Sequence, residues 1–287
     1  EISANLQLQF AANGLIARMF VSEDRLSTAC DIMERFYEKV STTKKRQLPL
    51  NIEVFLVWLH MLIGEYEPAE AWISEQAPNE NEHFYILERY RYLLKVKLYI
   101  VKEMYLEALS LLDRVEQYFV MYGRHYNLAE SKLLRAIILY RSAQPTWKEE
   151  LEKALDITYE YRLIRIVADL GIAIQPLLTR YQTEYAVRKK RETEYQAYLE
   201  LLLTNVKRQA GYYPKYLETT KHGHTDLTDA ENRVLLCMAT GMSNQEIADA
   251  LQVSLATVKS HAGKIYVKLN VKNRTAAVQL AKEVELI

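Results

Sequence analysis

Apolar residues recur at helical spacing over long stretches of the chain, and few helix-breaking residues interrupt them. Glycine and proline, which punctuate strands and turns, number only 8 and 6 among 287 residues. The pattern therefore predicts an all-α fold. The length allows one large domain or two ordinary ones.

Three short stretches resemble one another, and each places an alanine at the same point of a helical pattern. The alanines are Ala29, Ala69 and Ala108, separated by 40 and 39 residues. A weaker fourth copy begins at Trp147, with Glu150 in place of the alanine. Repeats of this length, with a small residue where two helices cross, are typical of a helical solenoid. An irregular helical bundle with accidental similarity is the alternative.

The segment Gly64-Glu-Tyr-x-x-Ala69 resembles the turn and second helix of a tetratricopeptide hairpin. We therefore predict a tetratricopeptide-like sensor solenoid of about four hairpins over residues 1–181. Solenoids present a long concave face to ligands, and tyrosine suits such a face because its apolar ring ends in a polar group. Tyrosines at helical spacing also fill cores, which is the alternative. The candidate ligand-binding tyrosines are Tyr85, Tyr92, Tyr99 and Tyr126.

Residues 182–226 are predicted to form a helical extension followed by a linker. The basic run at 188–191 fits a solvated helix face better than a DNA phosphate contact, and Gly211-Tyr-Tyr-Pro214 interrupts the helix. His222 and His224 have no third ligand nearby, so we expect no metal site there.

Composition restricts the location of the protein and its chemistry. Cys30 and Cys237 lie far apart among apolar neighbours, which predicts free thiols and a cytoplasmic location. No apolar run is long enough to span a membrane, and no signal peptide is visible. No nucleophile–histidine–acid set, metal set or phosphate loop is visible, so we expect neither an enzyme nor a cofactor.

Two capping boxes and a tight turn mark the last part of the chain. Thr228 with Glu231, and Ser243 with Glu246, each place a hydroxyl and a glutamate three residues apart at a helix start. A tight turn at 252–254 follows the second capped helix. Two capped helices and such a turn predict a helix-turn-helix unit.

The helix after the turn is predicted at about 255–269, with one charged and one apolar face. Segment 254–274 holds five basic residues and no Asp or Glu, although the whole chain has 37 basic and 37 acidic residues. Because phosphate neutralisation dominates protein–DNA affinity, this segment predicts local affinity for DNA. A solvated lysine-rich helix face is the alternative. The predicted buried stripe is Val258, Ala262, Ile265 and Leu269.

Residues 227–277, LTDAENRVLLCMATGMSNQEIADALQVSLATVKSHAGKIYVKLNVKNRTAA, resemble the LuxR/GerE family of bacterial helix-turn-helix domains. The resemblance implies a four-helix domain over 227–287 whose third helix reads the major groove. Lys259, Ser260 and Gly263 fall at base-reading positions, and the flanking polar residues fall at phosphate-contacting ones. The implied DNA-binding set is Ser254, Thr257, Val258, Lys259, Ser260, His261, Gly263, Lys264 and Lys268.

The last helix, predicted at about 275–286, resembles the dimerisation helix of the family, with Val278 and Ala281 as implied contacts. The sequence departs from the family pattern at two positions. Ala230 replaces a frequent arginine, and Gly263 stands where longer polar side chains are common. Glycine costs a helix about 1 kcal/mol relative to alanine. It also offers no side chain to a base, which predicts looser sequence reading at that position.

The whole chain also resembles the carboxyl end of MalT-like regulators, in which helical repeats precede a LuxR-type domain. Those proteins carry a nucleotide-binding module before the repeats, whereas no Walker A pattern GxxxxGK[ST] occurs in this chain. Because the chain opens at Glu1 rather than Met, we expect either an excised sensor-plus-output fragment or a natural protein without the ATPase.

Together these patterns predict a transcription regulator. The solenoid would sense a small-molecule or peptide signal, and the C-terminal domain would bind double-stranded promoter DNA as a homodimer. The alternative is a scaffold in which the repeats bind a partner protein and the DNA-binding domain localises it. A closed aromatic pocket would favour a small molecule, and a long open groove would favour a peptide.

Overall fold

The computed structural model describes residues 5–41, 47–79, 84–183, 193–218, 227–269, 271 and 273–283. Over these residues the regular structure is helical, which confirms the all-α prediction. The chain divides into two compact units, residues 1–220 and 221–287. The basic run at 188–191, the two linker histidines at 222 and 224, and Lys272 lie outside the described residues.

The N-terminal unit contains eleven helices in its described part, and a single 3-10 turn precedes the fifth. They are α1 (Leu6–Val21), α2 (Leu26–Ser41), α3 (Gln47–Leu62), α4 (Glu67–Glu75), α5 (Arg89–Val101), α6 (Tyr105–Met121), α7 (His125–Arg141), α8 (Trp147–Glu160), α9 (Ile164–Ala168), α10 (Gly171–Tyr181) and α11 (Thr193–Tyr212).

Consecutive helices of this unit pack in pairs, α1 with α2, α3 with α4, α5 with α6, and α7 with α8. The first helix of each pair also packs against the first helix of the next pair, as in a row of helical hairpins. Ala29, Ala69 and Ala108 are fully buried near the starts of α2, α4 and α6, where a larger side chain would separate the paired helices. In α8 the corresponding Glu150 accepts hydrogen bonds from Lys132 and Lys153 at 3.2 and 2.6 Å. The solenoid itself stays a prediction.

Helix α11 packs into the N-terminal unit, against α9 and α10. The sequence had assigned this stretch to an extension beyond residue 181. The helix ends at Tyr212, inside the Gly-Tyr-Tyr-Pro motif, and the chain continues in turns to Leu217. The core of the N-terminal unit therefore extends beyond residue 181. Four tyrosines of this stretch are buried, namely Tyr195, Tyr198, Tyr213 and Tyr216.

The turns after α11 are hydrogen-bonded to the first hairpins. The Tyr213 hydroxyl donates to the Val21 carbonyl at 3.1 Å, and the Trp58 indole Nε1 donates to the Tyr216 hydroxyl, also at 3.1 Å. The chain passes so close to the α3–α4 turn that a Cβ at Gly64 would lie 2.9 Å from the Lys215 Cβ. Gly64, whose φ is +79°, is therefore required by both its backbone angle and this close approach.

The four candidate ligand-binding tyrosines occupy different environments. Tyr92 and Tyr99 are buried in the hydrophobic core, so they do not belong to an open ligand face. Two cavities of this unit, of about 310 and 380 Å³, are described below, and Tyr85, which is 61% exposed, lines neither of them. Tyr126 lines both cavities. The spacing of the tyrosines in the sequence does not separate these cases, because their burial depends on helices that lie far away along the chain.

The C-terminal unit consists of four helices in its described part, as the family resemblance implied. They are α12 (Asp229–Ala239), α13 (Asn244–Leu251), α14 (Leu255–Lys268) and α15 (Arg274–Glu283). Their inner faces form one small core, separate from that of the N-terminal unit.

Three further findings concern the cysteines, membrane-spanning helices and metal sites. Both cysteines are free thiols, as predicted. No helix within the described ranges is long and apolar enough to cross a membrane. In the same ranges, no group of three His, Cys, Asp or Glu residues is arranged to hold a metal ion.

Candidate nucleic-acid interface

Helix α12 begins at the first predicted capping box. The Thr228 hydroxyl accepts from the Glu231 backbone N–H at 3.4 Å, and the Glu231 carboxylate accepts from the Thr228 N–H at 2.8 Å. The two bonds satisfy donors that a helix start otherwise leaves without partners. The beginning of α12 is thereby fixed by local sequence.

Helix α13 begins at the second predicted capping box. The Ser243 hydroxyl accepts from the Glu246 N–H at 3.3 Å, and the Glu246 carboxylate accepts from the Ser243 N–H at 2.7 Å. These hydrogen bonds from Ser243 lower the pKa of Glu246. The helix ends at Gln252, whose left-handed backbone (φ 54°) turns the chain toward α14.

Helix α14, the second helix of this helix-turn-helix unit, is capped by Ser254. The Ser254 hydroxyl accepts from the Thr257 N–H at 3.0 Å and lies 2.7 Å from the Thr257 hydroxyl. The first turn holds no acidic residue, so nothing there opposes an approaching phosphate. Ser254 and Thr257 therefore combine a structural role with a position at the exposed start of the helix.

The two faces of α14 divide as the sequence predicted, with one correction. Val258, Ala262 and Ile265 are buried in the core of the unit. Val258 had also been placed among the DNA-contacting residues, but its side chain is fully buried and unavailable to DNA. On the opposite face, five residues of the DNA-binding set are exposed, namely Lys259, Ser260, Gly263, Lys264 and Lys268.

His261 lies between the two faces and is half-buried. Its Nδ1 atom is covered by the protein and makes no hydrogen bond to any described residue. A phosphate contact through that atom would require the ring to rotate.

Lys268, a predicted phosphate contact, is bound within the domain. Its Nζ donates to the Glu231 Oε2 at 2.7 Å, and the Glu231 side chain is buried. Burial disfavours the charged carboxylate, but hydrogen bonds from Lys268 and Thr228 outweigh it and lower the pKa of Glu231. Lys268 thus joins the end of α14 to the start of α12.

Arg274, another basic residue of the acid-free segment, also has a structural partner. Its Nη2 donates to the Met238 carbonyl at 2.9 Å, near the end of α12. The Met238 carbonyl also accepts the Gly241 N–H at 3.1 Å, so the arginine adds a second hydrogen bond there and a cation opposite the negative end of the helix dipole. Sequence reasoning missed the partners of Lys268 and Arg274, because both lie more than thirty residues away along the chain.

Gly263 leaves the exposed face of α14 open. No atom lies within 4 Å of a Cβ added there, so a larger side chain would fit without displacing a neighbour. One turn further on, Val267 is 80% exposed. The middle of the face is thus small and the end apolar, while Lys259 and Lys264 supply its positive charge.

The implied dimer contacts on α15 differ from each other. Ala281 is fully buried in the core of its own domain and is unavailable to a second molecule, which corrects that assignment. Val278 is only partly buried against the same core. Its position one turn earlier on the helix leaves part of its side chain at the surface.

The geometry of the C-terminal unit is that of a helix-turn-helix DNA-binding domain. Residues 225–281 match the family described as bacterial regulatory proteins, luxR family. This part of the chain is a LuxR-type helix-turn-helix domain.

Similar proteins include the response regulator protein VraR from Staphylococcus aureus, Staphylococcus epidermidis and Staphylococcus saprophyticus. Each is 48% identical to this chain over 61 residues, which is 21% of the chain and 29% of the relative. The chain therefore matches less than a third of the length of these relatives. No solved structure is significantly similar to the chain.

Proposed function

We propose that this protein is a transcription regulator. Its C-terminal unit binds promoter DNA as a homodimer, and its N-terminal helical unit senses a signal molecule. The observation that carries the proposal is the exposed, acid-free face of α14, which holds Lys259 and Lys264 on a helix with two capped helices before it. The luxR-family match over 225–281 supports the same class.

In this proposal α14 enters the major groove with its capped start toward the bases. Lys259 and Ser260 lie near that start and are exposed, so they can reach base edges. Lys264 lies one turn further along and can neutralise a phosphate, which fixes the register of the helix on the duplex. The DNA-binding set that remains after the burial of Val258 and the pairing of Lys268 is Ser254, Thr257, Lys259, Ser260, His261, Gly263 and Lys264.

The homodimer is part of the proposal because helix-turn-helix dimers read two half-sites about one helical turn apart. After the burial of Ala281, Val278 is the residue of α15 that remains a candidate contact. Sedimentation of the protein with DNA fragments carrying one or two half-sites tests this point. A complex with a single protein molecule on the two-half-site fragment would contradict the dimer.

The experiment that tests DNA reading is selection of bound fragments from genomic DNA by the full chain. The Lys259→Ala/Lys264→Ala double variant should no longer enrich specific fragments, because it removes two exposed positive charges from α14. The matched control is Lys207→Ala/Lys282→Ala, which removes two exposed lysines outside α14. Equal enrichment by wild type and the α14 variant would contradict the proposal.

Salt dependence separates phosphate contacts from unfolding. Each lost phosphate contact should reduce the slope of log K against log salt by about 0.9, so the α14 double variant should show a slope shallower by about 0.9 through the loss of Lys264. The control variant should keep the wild-type slope. An unchanged slope with weaker binding would place the lost contacts elsewhere than at phosphates.

A further inference from the structure

A cavity of about 310 Å³ lies within the N-terminal unit. The first helices of four successive hairpins, α1, α3, α5 and α7, provide its walls. Its volume falls at the lower end of the range of small-molecule sites, roughly 300–1,000 Å³. Five aromatic residues line it, namely Phe10, Phe55, Trp58, Tyr90 and Tyr126. We call it the aromatic cavity.

Charged side chains also line the aromatic cavity. Lys97 Nζ lies 2.6 Å from Glu130 Oε1, and each side chain is only 9% exposed. The Arg18 guanidinium lies 4.6 Å from the centre of the Trp58 ring and is hydrogen-bonded to the buried carboxylate of Asp169. Charges are costly to bury, so a group of them facing a cavity calls for a reason beyond stability.

The charges at the aromatic cavity do not balance. Asp169 is shared by two cations, Arg18 and Arg165, whereas Lys97 and Glu130 pair one to one. Among the described residues that line the cavity, two cations, Arg18 and Lys97, face one carboxylate, Glu130, which leaves one positive charge in excess. The excess lies at the arginine pair, and Arg18 is the arginine that lines the cavity.

A second cavity, of about 380 Å³, extends the positive character. It shares Tyr90 and Tyr126 with the aromatic cavity and is lined by Arg89, Arg124 and His125 as well. Glu130 is the acidic residue among the described residues that line the two cavities. The formal charges of the residues that line the two cavities therefore sum to a positive value.

Tyr126 adds a neutral hydrogen-bond donor between the cavities. Burial raises the pKa of its hydroxyl to about 12, so the group stays protonated through the neutral range. A protonated phenol can donate to an anionic or carbonyl oxygen and contributes no negative charge of its own.

We propose that the aromatic cavity binds a small organic anion with an apolar or aromatic body. The body packs against the rings of Phe10, Phe55 and Trp58, and the anionic group lies next to Arg18, where it supplies the missing negative charge. Within the proposed function, on which its biological meaning rests, this anion is the signal. A concave aromatic pocket of this size with converging polar groups favours a small molecule over a peptide.

The test uses two fluorescent probes with the same aromatic body, added to the full chain. The first is 8-anilinonaphthalene-1-sulfonate, which carries an anionic group, and the second is the neutral N-phenyl-1-naphthylamine. We expect the sulfonate to bind at one site per chain, about tenfold more tightly than the neutral probe. Equal affinities, or saturation only at many sites per chain, would overturn the proposal.

A pair of variants on α1 locates the site. Ala11 is exposed and lines the cavity, so Ala11→Trp should fill its opening and weaken sulfonate binding about tenfold without disturbing the core. Ala12 is exposed too but does not line the cavity, so Ala12→Trp is the matched control and should bind as wild type. Equal binding by both variants would place the probe elsewhere.

The Arg18→Gln variant tests the charge. Asp169 keeps Arg165 as its partner, so the fold retains one of the two ion pairs. We expect the preference for the sulfonate over the neutral probe to fall about tenfold, with neutral binding unchanged. Retention of the full preference in a folded variant would overturn the assignment of Arg18, and if this variant does not fold, the α1 pair still decides the site.

These measurements require no DNA. Loss of the cavity assignment would therefore leave the DNA-binding proposal intact, and failure of the fragment selection would leave probe binding intact.

Discussion

Lys268, at the end of the recognition helix, donates a hydrogen bond to the buried carboxylate of Glu231, with Nζ 2.7 Å from Oε2. The same carboxylate accepts the backbone N–H of Thr228 at 2.8 Å. One side chain thus serves both the capping box of α12 and the attachment of α14 to it. The orientation of α14 relative to α12 depends on this shared group.

Replacement of Lys268 by methionine should destabilise the C-terminal unit by about 1–3 kcal/mol, because it removes a charged donor from a buried acceptor. Hydrogen exchange of peptides from α12 and α14, measured by mass spectrometry, checks the loss. Lys264→Met is the control, since it removes the same charge from the exposed face of the same helix. Equal protection in the two variants would contradict a structural role for Lys268.

The pH dependence of the C-terminal unit follows from the same carboxylate. The folded pKa of Glu231 is below its ordinary value of 4.5. Its stabilising contribution is therefore complete above that pH and is lost as the pH falls through the folded value. Denaturant unfolding followed by the amide NMR signals of α12 should show this loss in the wild type. In Glu231→Gln the slope over the same window should flatten, and an unchanged slope would argue against the lowered pKa.

Gly263→Ala should stabilise the C-terminal unit by about 1 kcal/mol, because the position is helical and no neighbouring atom opposes a methyl group. Gly241→Ala is the matched comparison, since space is equally open there but φ is +89°. That variant should lose about 1–2 kcal/mol. Denaturant unfolding of both variants, followed by the amide NMR signals of α12 and α14, measures the two effects. A less stable Gly263→Ala variant would be the contrary result.

Substitutions at Ser254 separate helix capping from DNA contact. Ser254→Ala should cost about 1 kcal/mol of stability through loss of the cap. Ser254→Asp should keep the cap, because aspartate caps helices as well as serine, yet its negative charge should weaken DNA binding. Fluorescence anisotropy with a selected DNA fragment measures the affinity, and Thr228→Asp at the start of α12 controls for the charge. Wild-type affinity in Ser254→Asp would mean that this helix end stays away from phosphates.

The buried pair of Lys97 and Glu130 predicts a double-variant effect. Lys97→Met leaves the carboxylate buried without its partner and should cost about 3–5 kcal/mol, whereas Lys97→Met/Glu130→Leu should recover most of that loss. Burial alone would lower the pKa of Lys97, but attraction to Glu130 raises it above 10.5. The stabilising contribution is therefore full below that pH and is lost as the pH rises through the folded value. Thermal unfolding from neutral to alkaline pH checks both points, and a double variant as unstable as the single one would contradict them.

The features predicted well from sequence are those that local chemistry decides. Thr228 with Glu231, and Ser243 with Glu246, cap helices because each pair lies within one turn of chain. The buried stripe of α14 followed from helical periodicity, since Val258, Ala262 and Ile265 face the core. The same stripe shows that Val258 cannot serve both the core and the DNA.

The features that sequence reasoning missed depend on contacts between distant residues. The aromatic cavity combines Arg18 of α1, Trp58 of α3, Lys97 of α5 and Glu130 of α7, and no short pattern brings these residues together. Tyrosine positions were a poor guide to it, because burial of a helix face depends on neighbours far along the chain. The packing of α11 into the N-terminal unit was missed for the same reason.

Trp58 lines the aromatic cavity and also donates a hydrogen bond to Tyr216, so it links the cavity to the turns after α11. Tyr216 lies in the turns that follow α11, in the stretch of sequence that precedes the C-terminal unit. A molecule in the aromatic cavity that favours one arrangement of the Trp58 indole therefore changes the free energy of releasing the chain after α11 from the first hairpins. By thermodynamic reciprocity, releasing that chain changes the affinity of the cavity by the same factor.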